Sequence, residues 1–152
     1  MKIIILYASV HHGNTRKLVK RMADAVPATL VDITKDSCPD ISGYDVIGLA
    51  SGVYFFTLHE SIARFLEQAA FEKGQQVFFV DTCGVAACDY TKKLKSKLQE
   101  KGVPCLGAFQ CRGYDTYGFW GKIGGIARKH PNEKDFRKAQ QFLKSITARD
   151  NG

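Results

Sequence analysis

Five short apolar runs alternate with segments of helical spacing, and this alternation constrains the fold more than any other feature of the chain. The runs contain mostly β-prone residues, which is typical of strands covered on both faces. They are Ile3–Tyr7, Thr29–Ile33, Asp45–Ala50, Val77–Val80 and Pro104–Phe109. Strands that alternate with helices form parallel crossovers. The pattern therefore predicts an α/β fold, a doubly wound five-stranded parallel sheet in three α/β/α layers.

The helices are predicted from apolar residues three or four positions apart. They cover Leu18–Val26, Leu58–Ala69, Tyr90–Lys101 and a last segment that starts near Glu133. Two segments lack the pattern and are predicted to be irregular: Thr34–Gly43, which is polar, and Arg112–Asn132, which is rich in glycine and aromatic residues. Because no linker or repeat interrupts the chain, residues 1–152 are expected to form a single domain.

The charge and the apolar pattern limit the function classes. The formal net charge is +7, which favours a phosphate-bearing ligand, an acidic partner protein or nucleic acid. The longest strongly apolar run, Ile3–Ala8, is far shorter than the roughly 20 residues that cross a bilayer, so no membrane insertion is expected. The first residues lack a secretory pattern, and no cysteine pair has Cys-x-x-Cys spacing. We therefore expect a cytoplasmic protein.

Ligands of such sheets bind outside the carboxyl ends of the strands. The first strand is followed by Ser9-Val10-His11-His12-Gly13-Asn14-Thr15, which runs directly into a helix. The unpaired amides at a helix start bind phosphate, and Ser, Asn and Thr side chains add donors. The same residues could instead form an ordinary helix cap, with Asn14 or Thr15 as the capping residue.

Two further segments follow the third and fourth strands. Ser51-Gly52-Val53-Tyr54-Phe55-Phe56 ends in three aromatic residues, which could stack on a flat ligand or pack on the sheet edge. Thr82-Cys83-Gly84 is small, so a planar ring could lie against its backbone; it could equally be an ordinary strand-to-helix turn. The glycine-rich segment after the fifth strand could border the ligand or a partner.

Several other chemistries lack their motifs. No cysteine is followed six positions later by arginine, the phosphatase spacing, and neither Gly-x-x-x-x-Gly-Lys-Ser/Thr nor Gly-x-Gly-x-x-Gly occurs after the first strand. His11 and His12 are a weak metal site because adjacent side chains diverge. The lysines between Lys92 and Lys101 have no interleaved aromatic residues, so nucleic acid is not an expected partner.

Together these segments resemble the flavodoxins. Gly13-Asn14-Thr15 matches the family's phosphate loop, His12 stands where the family usually has threonine, and Ser9 matches its leading serine. Ser51–Tyr54 resembles the first flavin-contacting loop of the family, and Thr82–Gly84 the second. The resemblance implies strand order 2-1-3-4-5 and a bound FMN. The implied cofactor-binding residues are Ser9, His11, His12, Gly13, Asn14, Thr15, Ser51, Gly52, Val53, Tyr54, Phe55, Thr82, Cys83 and Gly84.

The resemblance implies a low-potential electron carrier, with Tyr54 as first choice to stack on the flavin, Phe55 as second, and Gly52 as the peptide that turns toward flavin N5. This chain is basic where family members are acidic, and Arg16 replaces a common acidic residue. We therefore expect redox partner proteins with an acidic docking face and a less negative potential for the second electron. The alternatives are an FMN-dependent oxidoreductase acting on a quinone or porphyrinogen-type substrate, and a cofactor-free interaction module.

Overall fold

The computed structural model describes residues 1–10, 12–113, 125–127 and 129–149. Its strands are β1 (Ile3–Ala8), β2 (Thr29–Asp32), β3 (Val46–Tyr54), β4 (Thr57–Leu58), β5 (Gln76–Cys83) and β6 (Cys105–Arg112). Its helices are α1 (Asn14–Ala25), α2 (Glu60–Gln68), α3 (Lys92–Glu100) and α4 (Glu133–Ala148). The predicted alternation of strands and helices is confirmed.

The five long strands are parallel and lie in the order β2-β1-β3-β5-β6. This is the predicted order 2-1-3-4-5, because β4 is a short additional strand that pairs antiparallel with the end of β3. β4 has no counterpart among the predicted strands. The apolar spacing predicted a helix from Leu58, whereas Leu58 ends β4 and α2 begins at Glu60.

Helices cover both faces of the sheet, as predicted. Alternate strand residues on one face pack against α1 and α4, through Leu18, Met22, Leu143 and neighbouring side chains. The opposite residues pack against α2 and α3, through Ile62, Leu66, Leu94, Leu98 and their neighbours. We refer to these as the α1/α4 face and the α2/α3 face.

The central strands are longer than predicted at their carboxyl ends. β3 continues past Ala50 to Tyr54, and β5 continues past Val80 to Cys83. The polar and small residues after Ala50 and Val80 suggested that the chain turned there. The strands continue because neighbouring strands still provide hydrogen-bond partners for their backbone groups. Gly52 lies opposite Thr82, for example. The two predicted flavin-contacting loops are therefore largely strand ends.

None of the helices in the described part of the chain is long and apolar enough to span a lipid bilayer. The predicted irregular segment from Arg112 to Asn132 lies mostly outside the described residues; Arg112 itself is the last residue of β6.

Candidate functional site

The start of α1 has an unusual cap. The N-cap residue is Gly13, at φ 66°, and it follows His12, which also has a positive φ of 55°. Glycine has no side chain to cap the helix, and no atom lies within 4 Å of the point where a Cβ would sit. The alternative that Asn14 or Thr15 caps this helix is therefore wrong, because both are already helical. His11 lies outside the described residues.

The side chains of Asn14 and Thr15 point into the protein, where they are 9% and 2% exposed. The Thr15 hydroxyl lies 2.8 Å from the Thr82 hydroxyl at the end of β5. Asn14 lies against the backbone of Gly113, since a Cβ at that glycine would come within 2.6 Å of Asn14 Nδ2. The first turn of α1 is thus held against the carboxyl ends of β5 and β6.

Ser9 connects the end of β1 to the same turn. Its Oγ accepts a hydrogen bond from the Arg16 amide at 3.2 Å. The hydroxyl hydrogen of Ser9 therefore remains able to donate to a ligand. The first amides of a helix also point out of its start and carry partial positive charge. These groups together suit a phosphate.

The aromatic segment is a β-hairpin and not an open loop. β3 turns into β4 through Phe55 and Phe56, whose φ angles are 49° and 65°. Positive φ at both positions is what a two-residue type I′ turn requires, and that turn usually contains Asn and Gly. Phe55 is 78% exposed and Phe56 82%. The hairpin therefore presents two large apolar side chains on a strained backbone at the carboxyl edge.

Tyr54 lies on the same sheet face as α1, because Ala50 packs on that face and alternate residues share a side. Its hydroxyl oxygen lies 3.1 Å from the position of a Cβ on Gly52. Its ring meets the His59 ring edge-on, with centroids 5.4 Å apart and an interplanar angle of 81°. Packing against Gly52 and His59 thus positions Tyr54 on the sheet face that carries α1.

Two hydrogen bonds through the Ser51 hydroxyl link His59 to β3 at the base of the hairpin. The His59 amide donates to Ser51 Oγ at 2.8 Å, and the Ser51 hydroxyl donates to the Gly52 carbonyl at 2.6 Å. His59 Nδ1 accepts from the Ser61 amide at 3.1 Å, which places the ring proton of neutral His59 on Nε2. Sequence reasoning missed His59, because its role depends on the unpredicted hairpin.

The second predicted flavin-contacting segment lies at the end of β5. Cys83 is buried on the α2/α3 face, and its thiol donates to the Cys111 carbonyl at 3.5 Å. Arg112, opposite Cys83 in the ladder, donates from Nε to the Gly84 carbonyl at 3.0 Å. A cation therefore lies against this segment. The sequence analysis did not select Arg112, although its place at the end of the fifth strand was a usable signal.

A buried carboxyl group lies one residue before this segment. Asp81 is 2% exposed on β5, between Ser51 of β3 and Gln110 of β6. Its Oδ1 has no hydrogen-bond partner among the described residues. Burial raises the pKa of Asp81 to about 7, against a smaller lowering by the Gln110 side chain. Sequence reasoning did not select Asp81, which directly follows the predicted fourth strand, Val77–Val80.

The structure thus brings the predicted residues from β1, β3 and β5 to one edge of the sheet. The start of α1 and Tyr54 lie on the α1/α4 face of this edge. Asp81, whose Oδ1 has no hydrogen-bond partner among the described residues, lies at the same edge on the α2/α3 face. These features fit a ligand that has an anionic end and a flat aromatic end. They define a doubly wound α/β protein with a nucleotide-type site.

Comparison with known proteins agrees with this class. The family model described as a flavodoxin domain matches residues 4–124. The chain belongs to the flavodoxin family, so the resemblance seen in the sequence is confirmed. Membership of this family supports a flavin cofactor and a redox function.

An uncharacterised protein of Methanocaldococcus jannaschii is 43% identical over 148 residues, covering 96% of this chain and 98% of its own. A solved flavodoxin from the domain Archaea is similar in fold, with a TM-score of 0.71, 14% identity and full coverage of both chains. A mutant flavodoxin of Fusobacterium nucleatum, solved bound to flavin mononucleotide, has a TM-score of 0.66 and 16% identity, covering 97% and 96% of the two chains.

Proposed function

We propose that this protein binds FMN non-covalently at the carboxyl edge of its sheet and carries electrons between redox proteins. The observation that carries the proposal is the placement of the α1 start and Tyr54 on the same sheet face. FMN would supply the ability to accept and pass on electrons one at a time. The protein would supply binding, orientation and the electrostatic environment.

The phosphate of FMN would bind at the first turn of α1. The amides of Asn14 and Thr15 lie at the helix start, and Gly13 leaves the approach open. Ser9 can donate its hydroxyl hydrogen because its oxygen already accepts from Arg16. Of the Thr15 and Thr82 hydroxyls, the one that accepts in their mutual bond keeps its own hydrogen for the ligand.

The flavin ring would lie between the hairpin and the end of β5. Tyr54 remains our first choice to stack on it, with the exposed Phe55 second. Backbone groups of Gly52, Val53, Cys83 and Gly84 would bind the ring edge. The carbonyl of Gly52 already accepts a hydrogen bond from Ser51, so turning this peptide toward the flavin would break that bond.

FMN affinity measured on the apoprotein, with riboflavin as the matched ligand that lacks the phosphate, tests the site. We expect Ser9→Ala to weaken FMN binding by about tenfold, the usual size of one hydrogen bond to a charged group, and to leave riboflavin binding unchanged. Ser96→Ala, on the exposed surface of α3, serves as control. Failure to bind FMN, or equal loss for both ligands, would contradict the proposal.

The role of carrier, as opposed to enzyme, is tested separately. A carrier takes electrons from a partner protein, so the purified holoprotein should not oxidise NADH or NADPH unless a reductase is added. Unaided oxidation, with electrons delivered to a quinone, would instead assign the alternative role of an FMN-dependent oxidoreductase.

We further propose that the redox partners present an acidic docking face and that the protein works in the cytoplasm. The net charge of +7 supports the first point. The second is supported by the cysteines, since none of the five, all within the described residues, forms a disulfide.

A further inference from the structure

Asp81 is a titratable group inside the sheet that the binding of FMN does not use. Phe79 and Cys83, two residues before and after it, both pack on the α2/α3 face, so the Asp81 side chain lies on that face as well. It is 2% exposed. Its strand neighbours, Ser51 and Gln110, direct their own hydrogen bonds to the carbonyls of Gly52 and Cys88.

The unpartnered Oδ1 makes the ionised form of Asp81 unfavourable. A buried carboxylate needs several hydrogen-bond donors, whereas a protonated carboxyl group needs fewer. In the described part of the chain no donor reaches Oδ1. The site therefore suits a carboxyl group that is charged only part of the time.

The groups around Asp81 hold its titration near neutral pH. Burial raises its pKa to about 7; the nearby amide of Gln110 lowers this pKa, the charge of Asp89 raises it and that of Lys95 lowers it. Asp89 lies in the loop after β5 and Lys95 on α3, and the two form a 2.9 Å ion pair. The uncharged Ser51 is its neighbour on β3.

Two further groups near this carboxyl group stay neutral near pH 7: Tyr90 on the same face of the sheet and Cys111 on the opposite face. Burial raises the pKa of Tyr90 to about 12, and the charge of Asp81 contributes to this increase. Burial likewise raises the pKa of the Cys111 thiol on β6, with a smaller contribution from Asp81. Asp81, unlike Tyr90 and Cys111, is therefore a group that can exchange a proton near neutral pH.

We propose that Asp81 takes up one proton from solvent when the bound flavin receives its second electron, and releases that proton when the flavin gives the electron up. The electron comes from the redox partner. The proton forms an O–H bond on the Asp81 carboxylate, so the site gains one electron and one proton, and its charge does not change. The inference rests on the proposed FMN site.

The position of Asp81 supports this coupling. Thr82 and Gly52, in the two segments proposed to contact the ring, directly follow Asp81 and Ser51, which are paired in the ladder. A negative charge on the ring would therefore arise close to a buried carboxylate, where charges interact more strongly than in water. This interaction favours the neutral form of Asp81.

The test is a redox titration of the FMN-loaded protein at several pH values. We expect the potential for the second electron to fall as pH rises above the pKa that Asp81 has before that electron arrives, which is about 7 in the protein without flavin. Asp81→Asn should remove that slope. Asp24→Asn, which removes an exposed carboxylate on α1, should retain it. Equal slopes in native protein and Asp81→Asn would overturn the inference.

A cofactor-free measurement tests the titration itself. The pKa of Asp81 is raised from 3.8 to about 7 by folding, so its stabilising contribution is complete below about 4 and is lost as pH rises through about 7. Between these values the folding equilibrium of the native apoprotein should fall by up to tenfold per pH unit relative to Asp81→Asn.

The two measurements separate the possible failures. Absence of FMN binding overturns both the proposed function and this inference. FMN binding with no Asp81-dependent slope overturns the inference alone, and an apoprotein whose stability relative to Asp81→Asn is independent of pH shows that Asp81 does not titrate.

Discussion

At the scale of single residues, Arg112 explains how a basic chain could affect its cofactor. Its guanidinium donates to the Gly84 carbonyl, in the segment proposed to bind the ring edge. Arg112 is thus a specific residue that could produce the less negative potential for the second electron, which the net charge alone led us to expect. A cation beside this segment would favour a negatively charged reduced ring bound there.

We therefore expect Arg112→Gln to make the potential for the second electron more negative by about 20–40 mV, a range reduced for the solvent exposure of Arg112. Redox titration of the FMN-loaded variant measures it. Arg137→Gln, the same substitution on exposed α4, should leave the potential unchanged. A shift of equal size in both variants would assign the effect to net charge and not to Arg112.

The Thr15–Thr82 contact is a second residue-level test. Replacing either threonine with valine leaves the other buried hydroxyl without its partner, so each single variant should lose about 1–2 kcal/mol in free energy of unfolding. The double variant should lose less than the sum of the two. Urea unfolding of the apoproteins measures this cycle, and strictly additive losses would mean that the hydroxyls do not interact.

Residue-level prediction succeeded where the signal was local. Gly13, Asn14 and Thr15 were expected at a helix start and are found there. Asp81 and Arg112 were missed because their surroundings come from other strands: Asp81 is buried by β3 and β6, and Arg112 reaches the loop after β5. No short window of sequence contains those contacts. That the predicted residues contact FMN stays a prediction.

At the scale of elements, the hairpin formed by the end of β3 and β4 departs most from local sequence rules. A residue with a side chain at positive φ costs about 1 kcal/mol or more, and Phe55 and Phe56 both adopt it. We expect Phe55→Asn combined with Phe56→Gly to raise the free energy of unfolding of the apoprotein by about 1 kcal/mol. The same variant should bind FMN more weakly, because it lacks Phe55.

Phe56→Gly alone serves as the control for this prediction. It retains Phe55, so it should gain part of the stability and keep its FMN affinity. Thermal or urea unfolding and a flavin titration measure both quantities. A double variant less stable than native protein would show that contacts of the phenylalanines outweigh the cost of their backbone.

The sequence predicted the helices and long strands but not this hairpin, for a physical reason. A two-residue hairpin is recognised by Asn-Gly or a similar pair, and Phe-Phe gives no such signal. By contrast, α4 begins at Glu133 as predicted, where Asn132 and Asp135 form a reciprocal capping box. Local chemistry agrees with the structure at α4 and conflicts with it at the hairpin.

At the scale of the whole molecule, the charge of +7 predicts how the protein meets its partners. Opposite charges accelerate encounter, and salt screens them. We expect electron transfer to an acidic redox protein, followed by stopped-flow absorbance, to slow by about tenfold from low to high ionic strength. A neutral small oxidant should show no such dependence.

Substitution of Lys92 and Lys93, both exposed on α3, with glutamine tests where this charge acts. If α3 lies near the docking face, the double variant should lose more of the salt dependence than Lys17→Gln with Lys20→Gln on α1, which removes the same charge. Faster association at high salt would contradict an acidic partner.

The extent of the domain over residues 1–152 also stays a prediction.

The hydroxyl contact between Thr15 and Thr82 has one more consequence. It connects the helix start proposed to bind the phosphate ester to the strand proposed to border the isoalloxazine. Phosphate bound at the helix start should then raise the affinity of the site for the flavin ring. Riboflavin supplied together with inorganic phosphate should therefore bind better than riboflavin alone.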